Sequence, residues 1–128
     1  MQPTRFTVDI PVGAKFSFWI DFTDEAGEPY DFVNKTGIVT IKNIDESATN
    51  KSVITCTNGA VLNPLDVNQN AILGRIVLSI DSQFTSLLEI PDNEEDKYGE
   101  SAVYAILQVK LNTGEIPLIL QVRPIKTI

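Results

Sequence analysis

The sequence predicts an all-β protein: an antiparallel β-sandwich of about eight strands with one short helix, formed by residues 1–128 as a single domain. Three observations favour this fold class. Val, Ile, Thr and Phe alternate with polar residues over short segments, which is the pattern of half-buried strands. Gly, Asn, Asp and Pro interrupt those segments at spacings of roughly 8–14 residues. A chain of 128 residues can also bury a core without a disulfide or a metal ion.

The first two predicted strands flank a Pro-Val-Gly break at residues 11–13, which is either a bend between two sheets or a tight link. The first strand alternates through Phe6, Val8 and Ile10. In the second strand, alternate apolar residues form the predicted core face: Phe16, Phe18, Ile20 and Phe22. Trp19 has the opposite parity, so we expect it on the outer face, either covered by a loop or exposed to solvent.

In the middle of the chain, the alternation of apolar and polar residues predicts four further strands, after an acidic turn that contains Gly27. They cover residues 38–44, 52–57, 60–62 and 74–80. The apolar residues of 38–44 alternate imperfectly, so the pattern leaves the buried face of this strand open. Asn58-Gly59 is typical of a tight hairpin turn and predicts a hairpin of the two short strands around it.

The last third of the chain predicts the helix and a long hairpin. Asp81-Ser82 can cap a helix over 83–89, where Phe84, Leu87 and Leu88 match helical spacing. Segments 101–111 and 115–123 flank a three-residue turn that ends in Gly114, as in a bulged hairpin. The predicted core faces of the hairpin are Val103, Ala105, Leu107, Val109, Leu111, Ile116, Leu118, Leu120 and Val122.

Charge and hydropathy narrow the possible partners. Lys and Arg number 10 against 17 Asp and Glu, and the basic residues are scattered, which argues against a nucleic-acid partner. No apolar segment reaches the ~18 residues of a membrane-spanning helix, so we expect no membrane partner. The first residues lack the apolar core of a signal peptide, which predicts folding in the cytosol.

Catalytic and cofactor chemistry has little support in the sequence. The chain has no histidine, which removes the Ser-His-Asp and Cys-His mechanisms and the usual zinc site. Cys56 is alone in an alternating segment, where a buried structural thiol is the expected role. Carboxylates beside the first acidic turn, such as Asp21 and Asp24, are better explained by solubility than by glycosidase chemistry. We therefore expect a protein that is not an enzyme and uses no cofactor.

The acidic segment 92–100 alternates superficially like a calcium-binding loop. An EF-hand loop needs Gly at its sixth position and a helix on each side, whereas Lys97 holds that position here. A solvated acidic loop is the expected structure, with a structural calcium site as the alternative.

Aromatic residues outside the predicted core indicate a binding surface. The aromatic residues Trp19, Tyr30, Tyr98 and Tyr104 do not all fit the core pattern, and exposed Trp and Tyr are common anchors of protein interfaces. We predict an interface that contains Trp19, Asp21, Tyr30 and Tyr98. A platform for stacking sugars is the alternative, and it requires Trp19 and Tyr30 to be exposed together in a shallow groove.

Several segments resemble the N-terminal domain of phage baseplate upper proteins and related tail-associated virion proteins. The matching segments are Ile10–Phe16 (IPVGAKF), Phe22–Phe32 (FTDEAGEPYDF), Gly74–Ile80 (GRIVLSI), Thr85–Leu88 (TSLL) and the hairpin 104–123 with Gly114. The chain departs from the pattern at Phe32-Val33-Asn34, where Leu-Thr-Gly is usual, and in longer loops at 45–73 and 91–100.

The resemblance implies an immunoglobulin-like sandwich that serves as a structural protein of a tailed-phage virion. Its position would be the baseplate, tail, neck or head fibre, and it would be made in the host cytoplasm. It would act as an adaptor, in several copies, by docking on other virion proteins and on itself. The alternative is a carbohydrate- or receptor-binding module of the phage adsorption apparatus.

Overall fold

The structure is a computed structural model that describes residues 3–44, 50–90 and 104–126. Its strands are β1 (Thr4–Pro11), β2 (Phe16–Asp21), β3 (Gly37–Ile44), β4 (Asn50–Cys56), β5 (Ala60–Leu62), β6 (Arg75–Ile80), β7 (Ala105–Leu111) and β8 (Leu118–Ile125). They form a five-stranded sheet, in the order β1-β8-β7-β3-β4, and a three-stranded sheet, in the order β2-β6-β5. The prediction of an all-β sandwich with eight strands and one short helix is confirmed.

The core lies between the two sheets and is built from alternate residues of their strands. The largest fully buried side chains are Ile10, Val39, Ile41, Ile76, Leu78, Ile80, Leu107, Val109, Leu111, Leu118, Leu120 and Val122. The predicted core faces of β6, β7 and β8 are therefore confirmed for the described residues except Ile116, which precedes β8 and is only partly buried, while Val103 lies outside the described residues. For β3, whose buried face the sequence left open, Val39 and Ile41 face the core.

The first and last strands pair in parallel, whereas the other strand pairs of the described chain are antiparallel, as predicted. Thr4 lies opposite Leu118, and Pro11 lies opposite Ile125. Residues 11–13 then carry the chain from the five-stranded sheet to β2 in the other sheet, with Gly13 at a positive φ of 85°. The break is thus the bend between sheets. Strand direction could not be read from the sequence because period-two alternation is the same in parallel and antiparallel strands.

Strand β2 is an edge strand, which explains why its predicted core residues are only partly buried. Phe16, Phe18 and Ile20 pack against the core, as their parity predicted, but each is only partly buried because no strand flanks β2 on its outer side within the described chain. Phe22 is buried and lies just after the strand.

The hairpin predicted at Asn58-Gly59 is wrong. β4 pairs with β3 in one sheet, and β5 pairs with β6 in the other, so this turn carries the chain across the sandwich. A Cβ added at Gly59 would lie 3.0 Å from the Cβ of Cys56 and 3.2 Å from the Cβ of Val39. The glycine is therefore needed where the backbone passes between packed side chains.

The helix α1 (Ser82–Thr85) is shorter than the predicted 83–89. Asp81 is its N-cap residue but makes no capping hydrogen bond through its side chain. Leu88 is buried, whereas Leu87 is exposed, so the predicted apolar face is correct only in part. The buried Thr85 hydroxyl donates a hydrogen bond to the Ala14 carbonyl at 2.7 Å, which ties the helix to the bend between β1 and β2.

The predicted hairpin of the last two strands is confirmed. β7 and β8 pair antiparallel, with Leu107 opposite Leu120 and Val109 opposite Leu118. The Gly114 N–H donates to the Leu111 carbonyl, and Gly114 has a φ of 95°, as a three-residue turn ending in Gly requires. β8 thereby lies between β7 and β1, where it joins the two ends of the chain.

Candidate interface on the three-stranded sheet

An apolar row crosses the outer face of the three-stranded sheet. Trp19 of β2 lies opposite Val77 of β6, and Val77 lies opposite Val61 of β5. Trp19 is 57% exposed and Val61 is 47% exposed, while Val77 between them is partly buried. Because cross-strand neighbours share one face of a sheet, the three side chains form one surface, which we call the Trp19 row.

Arg75 and Asp21 hold the indole of Trp19 in place. The Arg75 guanidinium lies 3.9 Å from the centre of the Trp19 ring, in cation–π geometry. The same guanidinium donates two hydrogen bonds to Asp21, from Nε to Oδ1 at 2.6 Å and from Nη2 to Oδ2 at 3.0 Å. A planar fork bound to a carboxylate leaves the guanidinium little freedom, so Trp19 is exposed but braced on one face.

The ion pair shifts the protonation of both partners. The hydrogen bond from Arg75 lowers the pKa of Asp21 below its ordinary value, and the Coulombic attraction adds to the effect. The hydrogen bond to Asp21 likewise raises the pKa of Arg75. Both groups therefore stay charged at neutral pH, and the support of Trp19 persists over the physiological range.

The Trp19 row has the composition of a protein-binding surface. Trp and Arg are the residues most often found at the energetic centre of interfaces, and aliphatic neighbours exclude water around them. Trp19 and Asp21 were predicted from the sequence, but Arg75 and Val61 were not. Arg75 could have been found only from the register that places it opposite Asp21.

Tyr30 does not join the Trp19 row, and its place in the predicted interface stays a prediction. It packs against the core, and its ring lies 4.8 Å from that of Phe32. Its hydroxyl donates to Glu115 Oε2 at 2.9 Å and accepts a hydrogen bond from Lys35 Nζ at 2.9 Å. These contacts do not bring Tyr30 together with Trp19, so they give no support to the shared groove that a sugar platform requires.

The hydroxyl of Tyr30 organises the charges of this cluster. Its hydrogen bond lowers the pKa of Glu115, and its contact with Lys35 raises the pKa of that ammonium group. Lys35 Nζ also lies 3.7 Å from Glu115 Oε1 and 4.5 Å from the centre of the Tyr30 ring. These contacts connect the segment before β3 to the turn between β7 and β8.

A cleft of about 520 Å³ lies beside the end of β2 and brings Asp21 and Tyr30 to one site. It is lined by Thr4, Ile20, Asp21, Phe22, Thr23, Asp24, Glu25, Tyr30 and Glu115. In the described chain, no three Cys, Asp or Glu side chains are arranged to hold a metal ion. The cleft is acidic and open, and Trp19 is not part of its lining.

No protein-family model matches the chain, and no curated protein matches it.

Two predicted features lie outside the described residues: Tyr98 and the acidic segment 92–100 with its alternative calcium site. Cys56 is described and buried, and burial raises the pKa of its thiol to about 11. Such a thiol stays protonated at neutral pH and is a poor nucleophile. No helix of the described chain is both long and apolar enough to cross a membrane.

Proposed function

We propose that this chain is a non-enzymatic structural protein of a tailed-phage virion, in which it serves as an adaptor at the baseplate, tail, neck or head fibre. Its partners are neighbouring virion proteins, and its mode of action is protein–protein docking in several copies. It requires neither nucleic acid, membrane nor cofactor. It is made in the host cytoplasm and then assembled into the particle.

The observation that carries this proposal is the exposed and braced Trp19 in an apolar row. A standard interface buries about 800 Å² on each partner, which one sheet face of a small domain can supply. Arg75 lowers the conformational freedom that Trp19 would otherwise lose on binding, so docking costs less entropy. The resemblance to tail-associated virion proteins supports the proposed place in a phage particle, and the β-sandwich fold agrees with that resemblance.

Replacement of Trp19 by alanine tests the proposal. In the phage that encodes the chain, we expect mass spectrometry of purified particles to detect the wild-type protein. The Trp19→Ala protein should be depleted from particles roughly 30-fold, the effect of losing an interface anchor worth ~2 kcal/mol. The free energy of unfolding of the isolated Trp19→Ala domain should change by less than ~1 kcal/mol, because the side chain is largely exposed.

Ile38→Ala is the matched control. Ile38 is 54% exposed, close to the value for Trp19, but it lies on the outer face of the five-stranded sheet. We expect its incorporation to equal that of the wild type. Absence of the wild-type protein from particles would contradict the virion assignment. Equal depletion of both variants, or a loss of more than ~3 kcal/mol of stability in Trp19→Ala, would contradict the interface.

A further inference from the structure

Strand β1 forms an open edge of the five-stranded sheet. It pairs with β8 on one side, and no strand of the described chain pairs with it on the other. The N–H groups of Thr4 and Val12 donate to the carbonyls of Pro117 and Ile125, so the even-numbered residues of β1 direct their backbone groups toward β8. Since these directions alternate along a strand, the odd-numbered residues direct theirs to the open edge.

Prolines mark the two ends of this edge. Pro3 and Pro11 have no N–H to donate, and between them Arg5, Thr7 and Asp9 each present an N–H and a carbonyl. Edges of this length are usually blocked in soluble proteins by charged side chains, an internal proline, a bulge or a covering loop. In β1 only the charges of Arg5 and Asp9 are present: no proline or bulge lies between Thr4 and Ile10, and the register of these residues with β8 is regular throughout.

The sequence of β1 is complementary to itself when two copies run antiparallel about Thr7. In that register Arg5 lies opposite Asp9 of the second copy, and Phe6 lies opposite Val8 of the second copy. Each contact occurs twice because the arrangement has twofold symmetry. A shift of two residues in either direction would leave Arg5 and Asp9 without an opposite charge, so charge selects the register centred on Thr7.

The backbone geometry agrees with this register. The residues that would exchange hydrogen bonds in pairs are Arg5 with Asp9, Thr7 with Thr7, and Asp9 with Arg5. These are the odd-numbered residues that already direct their backbone groups outward. The pairing therefore needs no change in the contacts that β1 makes with β8.

The side chains along this edge include an exposed apolar ring and charged groups that a second strand could contact. Phe6 is 40% exposed although it points toward the core side, where its ring lies 5.8 Å from that of Phe18. Asp9 Oδ1 is held by Arg123 Nε at 2.8 Å, and a carboxylate can accept a second cation at its other oxygen. Arg5 has no ion-pair partner in the described chain. A second copy would supply that partner and would cover Phe6 with Val8.

We infer that β1 is the contact of a twofold-symmetric dimer of this chain, in which two five-stranded sheets join edge to edge. The occupant of the edge is a second copy, selected by the alternation of Arg5, Thr7 and Asp9. This contact lies apart from the Trp19 row and does not depend on the virion assignment. A dimer formed through β1 leaves the Trp19 row of each copy available for another partner.

Charge reversal at the two ends of the register tests the dimer. Sedimentation velocity of the wild-type chain should show a concentration-dependent dimer. Arg5→Asp and Asp9→Arg should each raise the dissociation constant roughly 10- to 100-fold, because each places like charges opposite one another twice. An equimolar mixture of the two variants should recover a one-to-one dimer, since each chain then faces the opposite charge.

Lys110→Asp is the matched control for net charge. Lys110 is exposed on β7, away from the edge, and its reversal should leave the dissociation constant within about threefold of the wild-type value. A wild-type chain that stays monomeric up to its solubility limit would overturn the inference, and the edge would then be left to a strand from a different protein. A dimer that survives both reversals, or a mixture that stays monomeric, would also overturn it.

Discussion

The outer faces of the two sheets are built from the same alternation but differ in what they expose. On the five-stranded sheet the outward positions are mostly polar or charged: Arg5, Thr7, Asp9, Thr40, Lys42, Gln108, Lys110, Gln121 and Arg123. Two of its exposed apolar residues are flanked by charge, since Val53 lies opposite Lys42 and Ile38 lies opposite Lys110, while Ile125 lies opposite Pro11 at the end of β8. On the three-stranded sheet, Trp19, Val77 and Val61 adjoin one another.

This difference indicates which face a partner would use. Isolated apolar residues are normal on a protein surface, whereas a continuous apolar row with a polar rim is typical of a binding site. The five-stranded sheet offers its edge instead, where unpaired backbone groups of β1 are the main feature. The molecule therefore has two kinds of candidate contact, a side-chain surface on one sheet and a backbone edge on the other.

The largest expected effect separates the two faces of the three-stranded sheet. Leu78 is fully buried on β6, and its neighbour Val77 belongs to the Trp19 row. Leu78→Ala should lower the free energy of unfolding by about 2–5 kcal/mol, because it leaves a cavity in the core. Val77→Ala should lower it by no more than about 1 kcal/mol. Urea denaturation of the isolated domain measures both.

Similar losses for Leu78→Ala and Val77→Ala would contradict the assignment of Val77 to an outer face that contributes little to stability. They would mean that the Trp19 row is needed for stability, and its value as a docking surface would lose its main support.

A smaller loss is expected from Gly74→Ala, at the residue that leads into β6 and places Arg75. Gly74 has a φ of 74°, and an added Cβ would lie 2.5 Å from the Phe22 carbonyl oxygen. Strain and overlap together should cost about 2–3 kcal/mol. Gly27→Ala is the control, because Gly27 has a φ of 81° but open space around it, so it should cost only about 1 kcal/mol.

Both costs are measured as differences in the free energy of unfolding. Equal losses at Gly74 and Gly27 would show that the approach of Gly74 to Phe22 does not constrain the start of β6.

The sequence was sufficient for the fold class because alternation and turn residues report local preferences directly. The parity of Trp19, the core of β6 and the Gly114 turn all follow from residues close in the chain. The partners of each strand do not. Asn58-Gly59 has the residues of a hairpin, yet the chain crosses between sheets there, because packing of Gly59 against Cys56 and Val39 decides the outcome.

For the candidate interface, likewise, the sequence predicts residues that are close in the chain but not those that strand pairing brings together. Trp19 and Asp21 lie two residues apart on one strand, so the sequence placed them on one face. Arg75 lies 54 residues from Asp21, and only the pairing of β2 with β6 brings them together. The contacts of Tyr30 were not predictable for the same reason, since its hydrogen bond to Glu115 joins residues that lie 85 positions apart.

The smallest expected effect concerns the ion pair that braces Trp19. Arg75 lowers the pKa of Asp21 below the ordinary value of 3.8, so this pair stabilises the fold above that pH. Its contribution is lost as the pH falls through the pKa of the folded state. Arg75→Gln should return the pKa of Asp21 toward 3.8, as measured by carbon NMR of the carboxyl group during an acid titration. Arg5→Gln removes the same charge from the other sheet and should leave the pKa of Asp21 unchanged.

The fluorescence of Trp19, the single tryptophan of the chain, should change in Arg75→Gln but not in Arg5→Gln. If both variants behaved alike, Arg75 would not be what holds the indole, and the three-stranded sheet would lose its preorganised anchor.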